Sequence, residues 1–200
     1  MARYGQNHKA STREAIVKKA SGMIRTNGLD NTGVAHVMSA VGLTHGGFYA
    51  HFAGKEALLE AAMEEAIAPS KARLAMLVKL AAEANEPGLI PERYLSAPRA
   101  DDVENGCAAA ALLSELHRAP MAVREAFRDG AVASAQALAL GDDDTGWARY
   151  AMLAGALSII RAMPDAGLKD AVRADVVRAF RQQSLQSEER SSPDSGNRSN

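Results

Sequence analysis

The sequence predicts an all-α fold, with a small N-terminal three-helix unit followed by a larger helical body. Three observations predict it. Apolar residues recur at three- and four-residue spacing almost throughout the chain, which is the period of a helix with one buried face. No segment alternates apolar and polar residues between turn signals, as half-buried strands do. Gly28 and Gly42 close the first two periodic segments, where a helix can end on a left-handed residue.

The elements follow in order. Ile16, Ala20, Met23, Ile24 and Asn27 share one face of a first helix over about residues 11–26. Val34, Val37, Met38 and Val41 mark a short second helix at i, i+3, i+4 and i+7. The third begins at Thr44, whose hydroxyl can accept a free first-turn N–H. Leu43 and Phe48 have the spacing of a hydrophobic staple across that start. A fourth helix begins near Lys55 and runs past Leu58, Leu59 and Met63, and Pro69 is expected to kink or divide it. Residues 88–98 read as a short helix, 99–104 as a polar loop, and 105–119 and 120–140 as helices. Pro120 suits a first helical turn. Residues 141–146 read as a turn, 147–163 as a strongly apolar helix and 168–185 as an amphipathic one after Gly167. Residues 186–200 hold no aliphatic or aromatic side chain and are expected to be disordered.

Composition narrows the class. Two hundred residues suffice for one or two domains with a sizeable core. The lone cysteine, Cys107, excludes an intrachain disulfide. No apolar run approaches membrane-spanning length and the N-terminus lacks a signal-peptide core, so a cytoplasmic chain with no membrane association is expected. Net charge near zero hides an asymmetry. Residues 1–56 carry seven Lys and Arg against three Asp and Glu, and residues 57–200 carry sixteen against twenty-one. A basic N-terminal quarter on an acidic body points to a nucleic-acid contact at one end.

The stretch GLTHGGFYAHFAGK, residues 42–55, sharpens that reading. It holds three of the nine aromatic residues within five positions, together with a glycine pair. Two short helices joined by about four residues containing Gly describe a helix-turn-helix, whose second helix enters the DNA major groove. On this reading Phe48 and Phe52 face inward. Gly46 and Gly47 each cost a helix about 1 kcal/mol relative to Ala, in return for close approach of backbone to a ligand surface. Tyr49, His51 and Lys55 supply donors for phosphates. A simple turn is the alternative for the glycine pair, and a packed core histidine is the alternative for His51.

The run Gly-Leu-Thr-x-Gly-x-Phe-Tyr-x-His-Phe-x-x-Lys-Glu-x-Leu, and residues 11–63 as a whole, resemble the DNA-binding domain of TetR/AcrR-type transcriptional regulators. The resemblance implies a helix-turn-helix DNA-binding domain over residues 8–54, a helical ligand-binding and dimerisation domain over 55–185, and a tail over 186–200. It places Thr44, Tyr49, His51 and Lys55 on the DNA backbone, and His45 and Gly46, with Gly47 beside them, nearest the bases. Gly33 stands where relatives carry a capping, phosphate-contacting Ser or Thr, so Thr32 must substitute or the contact is missing. Gly54 stands where a Ser or Asn usually caps the fourth helix. The last two helices would form a homodimer interface. The implied function is a ligand- or electrophile-responsive repressor on a palindromic double-stranded operator, released by a small-molecule inducer. The alternative is an activator or a ligand-independent DNA-binding protein.

The segment ENGCAAAALLSEL resembles the Gly-Cys helix start of a subset of these regulators, some of which respond to electrophiles or oxidants. With Asn105 as N-cap, Cys107 would lie in a first helical turn, where free N–H groups favour a thiolate. Arg99 and Arg161 are candidate cations beside it. Against this, free cysteine usually packs as a small hydrophobe, and the residues after Cys107 are apolar. No metal-ligand spacing, cofactor loop or nucleophile–base pair is found, so no metal, cofactor or enzyme activity is expected. The acidic run 142–144 reads as a solvated turn.

Overall fold

The structure is a computed structural model that describes residues 2–139 and 146–191. Among these residues every regular element is a helix, which bears out the all-α expectation. The order is α1 (Ala2–Asn27), α2 (Val34–Ala40), a 3-10 helix η1 (His45–Ala50), α3 (Lys55–Ala84), α4 (Leu89–Tyr94), α5 (Ala97–Asp101), α6 (Ala108–Leu116), α7 (Met121–Leu138), α8 (Gly146–Ala162) and α9 (Ala166–Ser191).

Several boundaries differ from the sequence reading, each for a physical reason. α1 starts at Ala2 rather than near Ser11, because extending a formed helix through Gln, Lys, Arg and Ala is far easier than nucleating one. Pro69 lies inside α3 without dividing it. Its ring is exposed, and the residues around it are mostly good helix formers. Residues 88–101 make two short helices instead of one, and the second takes in Arg99, Ala100 and Asp101 from the expected polar loop. Pro98 in its first turn gives it a start. α9 runs to Ser191, into the segment read as tail, since Gln, Glu and Arg sustain a helix already begun. The acidic run 142–144 and residues 192–200 lie outside the described residues.

The chain divides into two compact units. The first comprises Met1–Arg73 and Ser96–Ser134. Its core joins Ile16, Ala20 and Ile24 of α1, Val37 and Met38 of α2, Leu58, Ala62, Met63 and Ile67 of α3, and Leu112 of α6. Of the predicted stripe on α1, Ile16, Ala20, Met23 and Ile24 are buried and Asn27, at the helix end, is exposed. Val17, Ser21 and Arg25 beside the stripe are buried as well, because α1 packs on both α2 and α6.

The second unit comprises Leu74–Leu95 and Ala135–Asn200, with α9 packed on α8 and α4. Leu77, Ile90, Leu95, Tyr150, Leu153, Leu157, Ile160 and Phe180 are buried in it. Arg149 is fully buried, and its Nη1 donates to the carbonyls of Leu138 at 2.9 Å and Ala139 at 3.3 Å. A cation there complements the carbonyl end of α7. Arg173 Nε donates to the Leu95 carbonyl at 2.8 Å, just past the end of α4. Among the described residues no helix is long and apolar enough to cross a membrane.

Gly130 of α7 is buried against Ile67 of α3. A Cβ there would meet Ile67 Cγ2 at 2.8 Å and run into Cγ1. Gly130→Ala should therefore lower stability by about 1–3 kcal/mol from overpacking, although alanine favours a helix by about 1 kcal/mol. Adding Ile67→Ala makes room, so the double variant should lose less than the two single losses together in urea unfolding. Strictly additive losses would show that the clash is not the cause.

Candidate nucleic-acid interface

α2 and η1 form the helix-turn-helix, and its turn is built from backbone. Gly42 adopts φ 72°. Its N–H donates to the Ser39 carbonyl at 3.0 Å, and the Leu43 N–H donates to the Met38 carbonyl at 2.9 Å. This pair of bonds closes a helix on a left-handed residue, and residues 41–44 then carry the chain into η1.

η1 is a 3-10 helix of six residues, not the α-helix expected. Two glycines in so short a segment leave too little helix propensity to sustain an α turn. Thr44 takes the N-cap position with extended backbone, but its hydroxyl makes no capping bond. The turn is closed instead by the Gly47 N–H donating to the Thr44 carbonyl at 3.1 Å. Leu43, expected to staple onto Phe48, is exposed.

The two faces of η1 differ sharply. Phe48 and Phe52 are buried and stack with centroids 5.5 Å apart, in one core with Val37, Met38, Leu58 and Leu59. Thr44, His45 and Gly46 are exposed, and Tyr49 is 67% exposed. The Tyr49 ring is held edge-on between Phe48 at 5.3 Å and His45 at 6.2 Å. A Cβ at Gly46 would meet nothing within 4 Å, and at Gly47 only ordinary contacts at 3.8 Å. Neither glycine has a positive φ, so among the described residues no contact or backbone angle requires the pair.

The remaining predicted residues divide. Lys55 is exposed, and its Nζ donates to the Asp30 carbonyl at 3.2 Å, leaving two of its three donors for another partner. His51 is half-buried, and its Nδ1 is buried with no protein partner among the described residues. The hydrogen bond of a packed core histidine is therefore not made at that atom. Gly33 is the N-cap of α2 and offers no capping side chain. Thr32 does not substitute for it. Its side chain is fully buried, and its hydroxyl donates to the Gly28 carbonyl at 2.7 Å. Gly28, at φ 87°, ends α1, and a helix-end carbonyl needs a donor that Thr32 supplies four residues later.

Sequence reasoning missed a polar clamp on the end of α1. The Glu115 carboxylate of α6 accepts from the Leu29 N–H at 2.7 Å. Arg25 Nε donates to the Glu104 carbonyl at 2.6 Å, and Lys19 pairs with the Glu104 carboxylate at 3.4 Å. The one available sign was Glu115 standing among the apolar residues of ALLSEL. Arg25 gave none, because it falls beside the apolar stripe.

Cys107 lies close to this clamp. It is itself the N-cap of α6, so Asn105 is not. The Asn105 N–H and amide instead donate to Asp102 Oδ1 at 3.2 and 3.0 Å. The thiol is 5% exposed, and Sγ accepts from the Ala110 N–H at 3.4 Å. Arg25, which the sequence reading did not name, is a cation that interacts with Cys107. Burial pulls the Arg25 guanidinium below its ordinary range, while Asp102, Glu65, Glu104 and Cys107 oppose that shift. Arg99 pairs with Asp102 at 3.9 Å. Burial would raise the Asp102 carboxyl, but the Asn105 bonds together with Arg99 and Arg73 hold it below its ordinary value. No group of three or more potential metal ligands converges among the described residues.

Comparison with known proteins agrees with this geometry. Residues 16–62 match the family described as bacterial regulatory proteins, tetR family, which bears out the resemblance. No curated protein matches the chain. Among solved structures, the fold is similar to a TetR-family transcriptional regulator from Cytophaga hutchinsonii, with a TM-score of 0.72 and 21% identity over 88% of this chain and 96% of that one. It is also similar to the reduced form of E. coli NemR, with a TM-score of 0.70 and 20% identity over 83% of this chain and 95% of that one.

The two threonines of the motif should respond oppositely to loss of the hydroxyl. Thr32→Val leaves the partly buried Gly28 carbonyl without its donor and should lose about 1–2 kcal/mol in chemical unfolding. Thr44→Val removes no capping bond and should stay within about 0.5 kcal/mol of the parent. Equal losses at the two positions would reverse the assignment.

Proposed function

We propose that the chain is a TetR-family, helix-turn-helix DNA-binding transcriptional regulator, as the match over residues 16–62 supports, and that it represses transcription as a homodimer on a palindromic operator. The observation that carries the reading is that the buried rings of Phe48 in η1 and Phe52 just after it lie beneath an exposed polar face. On that face His45 and Gly46 meet base edges, and Gly47 lets the backbone approach. Thr44, Tyr49, His51 and Lys55 hold phosphates. Gly33 lets the start of α2 come close to the duplex, and Thr32 takes no part.

Dimerisation through α8 and α9 is supported by an apolar stripe. Trp147 is 56% and Ile159 45% exposed. Ala151 and Gly155 complete the row between them at four-residue spacing, and a Cβ at Gly155 would meet nothing within 4 Å. Leu168 of α9 is exposed as well. Patches of this kind on a single chain mark interaction surfaces. The protein works as a cytoplasmic regulator, by binding rather than by catalysis.

Release from DNA requires an inducer that prefers the non-binding conformation. A small molecule received by the helical body meets that requirement if it shifts α6. Glu115 and the Glu104 segment grip the end of α1, so displacement of α6 moves the helix-turn-helix. Modification of Cys107 is a second reading, favoured by the thiol's place at the start of α6 beside the Arg25 guanidinium.

Selection from a randomised duplex pool tests the DNA reading. The dimer should retain a palindrome with half-sites one turn or a multiple apart, and log affinity should fall steeply with log salt. His45→Ala should change the preferred sequence. Tyr49→Phe and Lys55→Ala should weaken all sequences alike, as phosphate contacts do. A monomer at micromolar concentration that retains no duplex would refute the proposal.

For Cys107, a mild electrophile should label the native protein at neutral pH and release DNA. Cys107→Ser should bind DNA and ignore the electrophile. If the thiol is labelled only after denaturant is added, it is a core residue and the inducer acts non-covalently.

A further inference from the structure

Residues 7–11 of α1 are all exposed, and the first buried side chain from residue 7 onward is Ile16, where the family match also begins. Exposed helical residues that cover no core gain little stability from the rest of the chain. Its charge is one-signed: residues 1–13 carry Arg3, Lys9 and Arg13 and no acid. The hydroxyls of Ser11 and Thr12 are used internally, donating to the His8 carbonyl at 3.0 and 2.8 Å.

Its root lies beside η1. The Arg13 guanidinium sits over the Phe52 ring, 4.9 Å from the centroid. Phe52 directly follows His51 and stands three residues before Lys55. The helix thus leaves the domain next to the proposed phosphate contacts. Lys9 lies one turn further out on the face of Arg13, about 6 Å along the axis, and Arg3 about 15 Å. A duplex presents a charge about every 1.7 Å, so phosphates flanking the half-site fall within that reach.

We propose that residues 2–13 form a phosphate-binding arm that extends the footprint of the helix-turn-helix onto the DNA backbone beside each half-site. The proposal rests on the DNA-binding reading above.

The test uses the full chain, the variants Arg3→Ala/Lys9→Ala and Lys9→Arg, and a duplex selected by the parent protein. The double alanine variant should unfold at the parent's temperature, because Lys9 is exposed. It should keep the parent's sequence preference and lower the slope of log affinity against log salt by about 3–4, since each dimer would then neutralise about four fewer phosphates. Backbone protection at the flanks of each half-site should disappear, and Lys9→Arg should retain it. An unchanged slope and footprint in the alanine variant would overturn the arm and leave the DNA-binding reading standing. A changed base preference would also overturn it, since phosphate contacts carry no sequence information. Failure of the parent protein to retain any duplex would overturn both.

Discussion

A six-residue 3-10 helix with two glycines has no stability of its own, so η1 depends on the burial of Phe48 and Phe52. Glycine at two helical positions costs about 2 kcal/mol relative to alanine. Full burial of two phenylalanine side chains contributes about 3–6 kcal/mol. The stacked rings therefore outweigh the glycines, and the surplus fixes which face of η1 points outward. Tyr49, packed edge-on against Phe48, inherits its orientation from the same pair. Arg13 meets the outer part of that anchor, over Phe52, so the position of α1 is tied to it as well.

The second constraint lies at the other end of α1. Gly28 ends that helix in a left-handed turn, and its neighbouring groups find partners from two directions. Thr32 satisfies the Gly28 carbonyl, and Glu115 satisfies the Leu29 N–H. A Cβ at Gly28 would meet Glu115 Oε1 at 2.7 Å. The glycine thus serves both the turn and the close approach of the carboxylate. Because α6 starts at Cys107 and carries Glu115 near its end, one short helix links the thiol to the turn that precedes α2. Burial of Arg25 beside Glu104 strengthens the link. A buried guanidinium left without its partner is costly, so the Glu104 segment cannot leave α1 freely.

Much of this was legible in the sequence. Helical period placed α1, α2, α3, α7, α8 and α9, because each carries apolar residues at a spacing only a helix can gather on one face. Phe48 and Phe52 were legible as inward rings from their four-residue spacing in a stretch otherwise rich in polar groups and glycine. Thr32 was not. Its burial is decided by the Gly28 carbonyl, a backbone group that no side-chain pattern records. The N-cap of α6 was misplaced for a similar reason. Asn105 is a good capping residue, but its N–H and amide hold it to Asp102 in the preceding turn, and the helix starts two residues later with Cys107 as its cap. The clamp formed by Glu104 and Glu115 joins residues about 80 positions apart in the chain. Local spacing carries no information about such a pairing.

The glycines separate what the fold demands from what it does not. Gly28 and Gly42 are required by their positive φ, and Gly130 by the Ile67 side chain against it. Gly46 and Gly155 have neither reason. Both lie in helical segments, have ordinary φ, and face space in which a Cβ would meet nothing within 4 Å. Each costs its helix about 1 kcal/mol relative to alanine with no intrachain return. One stands on the exposed face of η1, the other in the middle of the apolar stripe on α8. Absence of a side chain at these points allows another surface to reach the backbone. Gly46, with Gly47 beside it, and Gly155 thus fall on the two surfaces proposed for partners, one for DNA and one for a second copy of the chain.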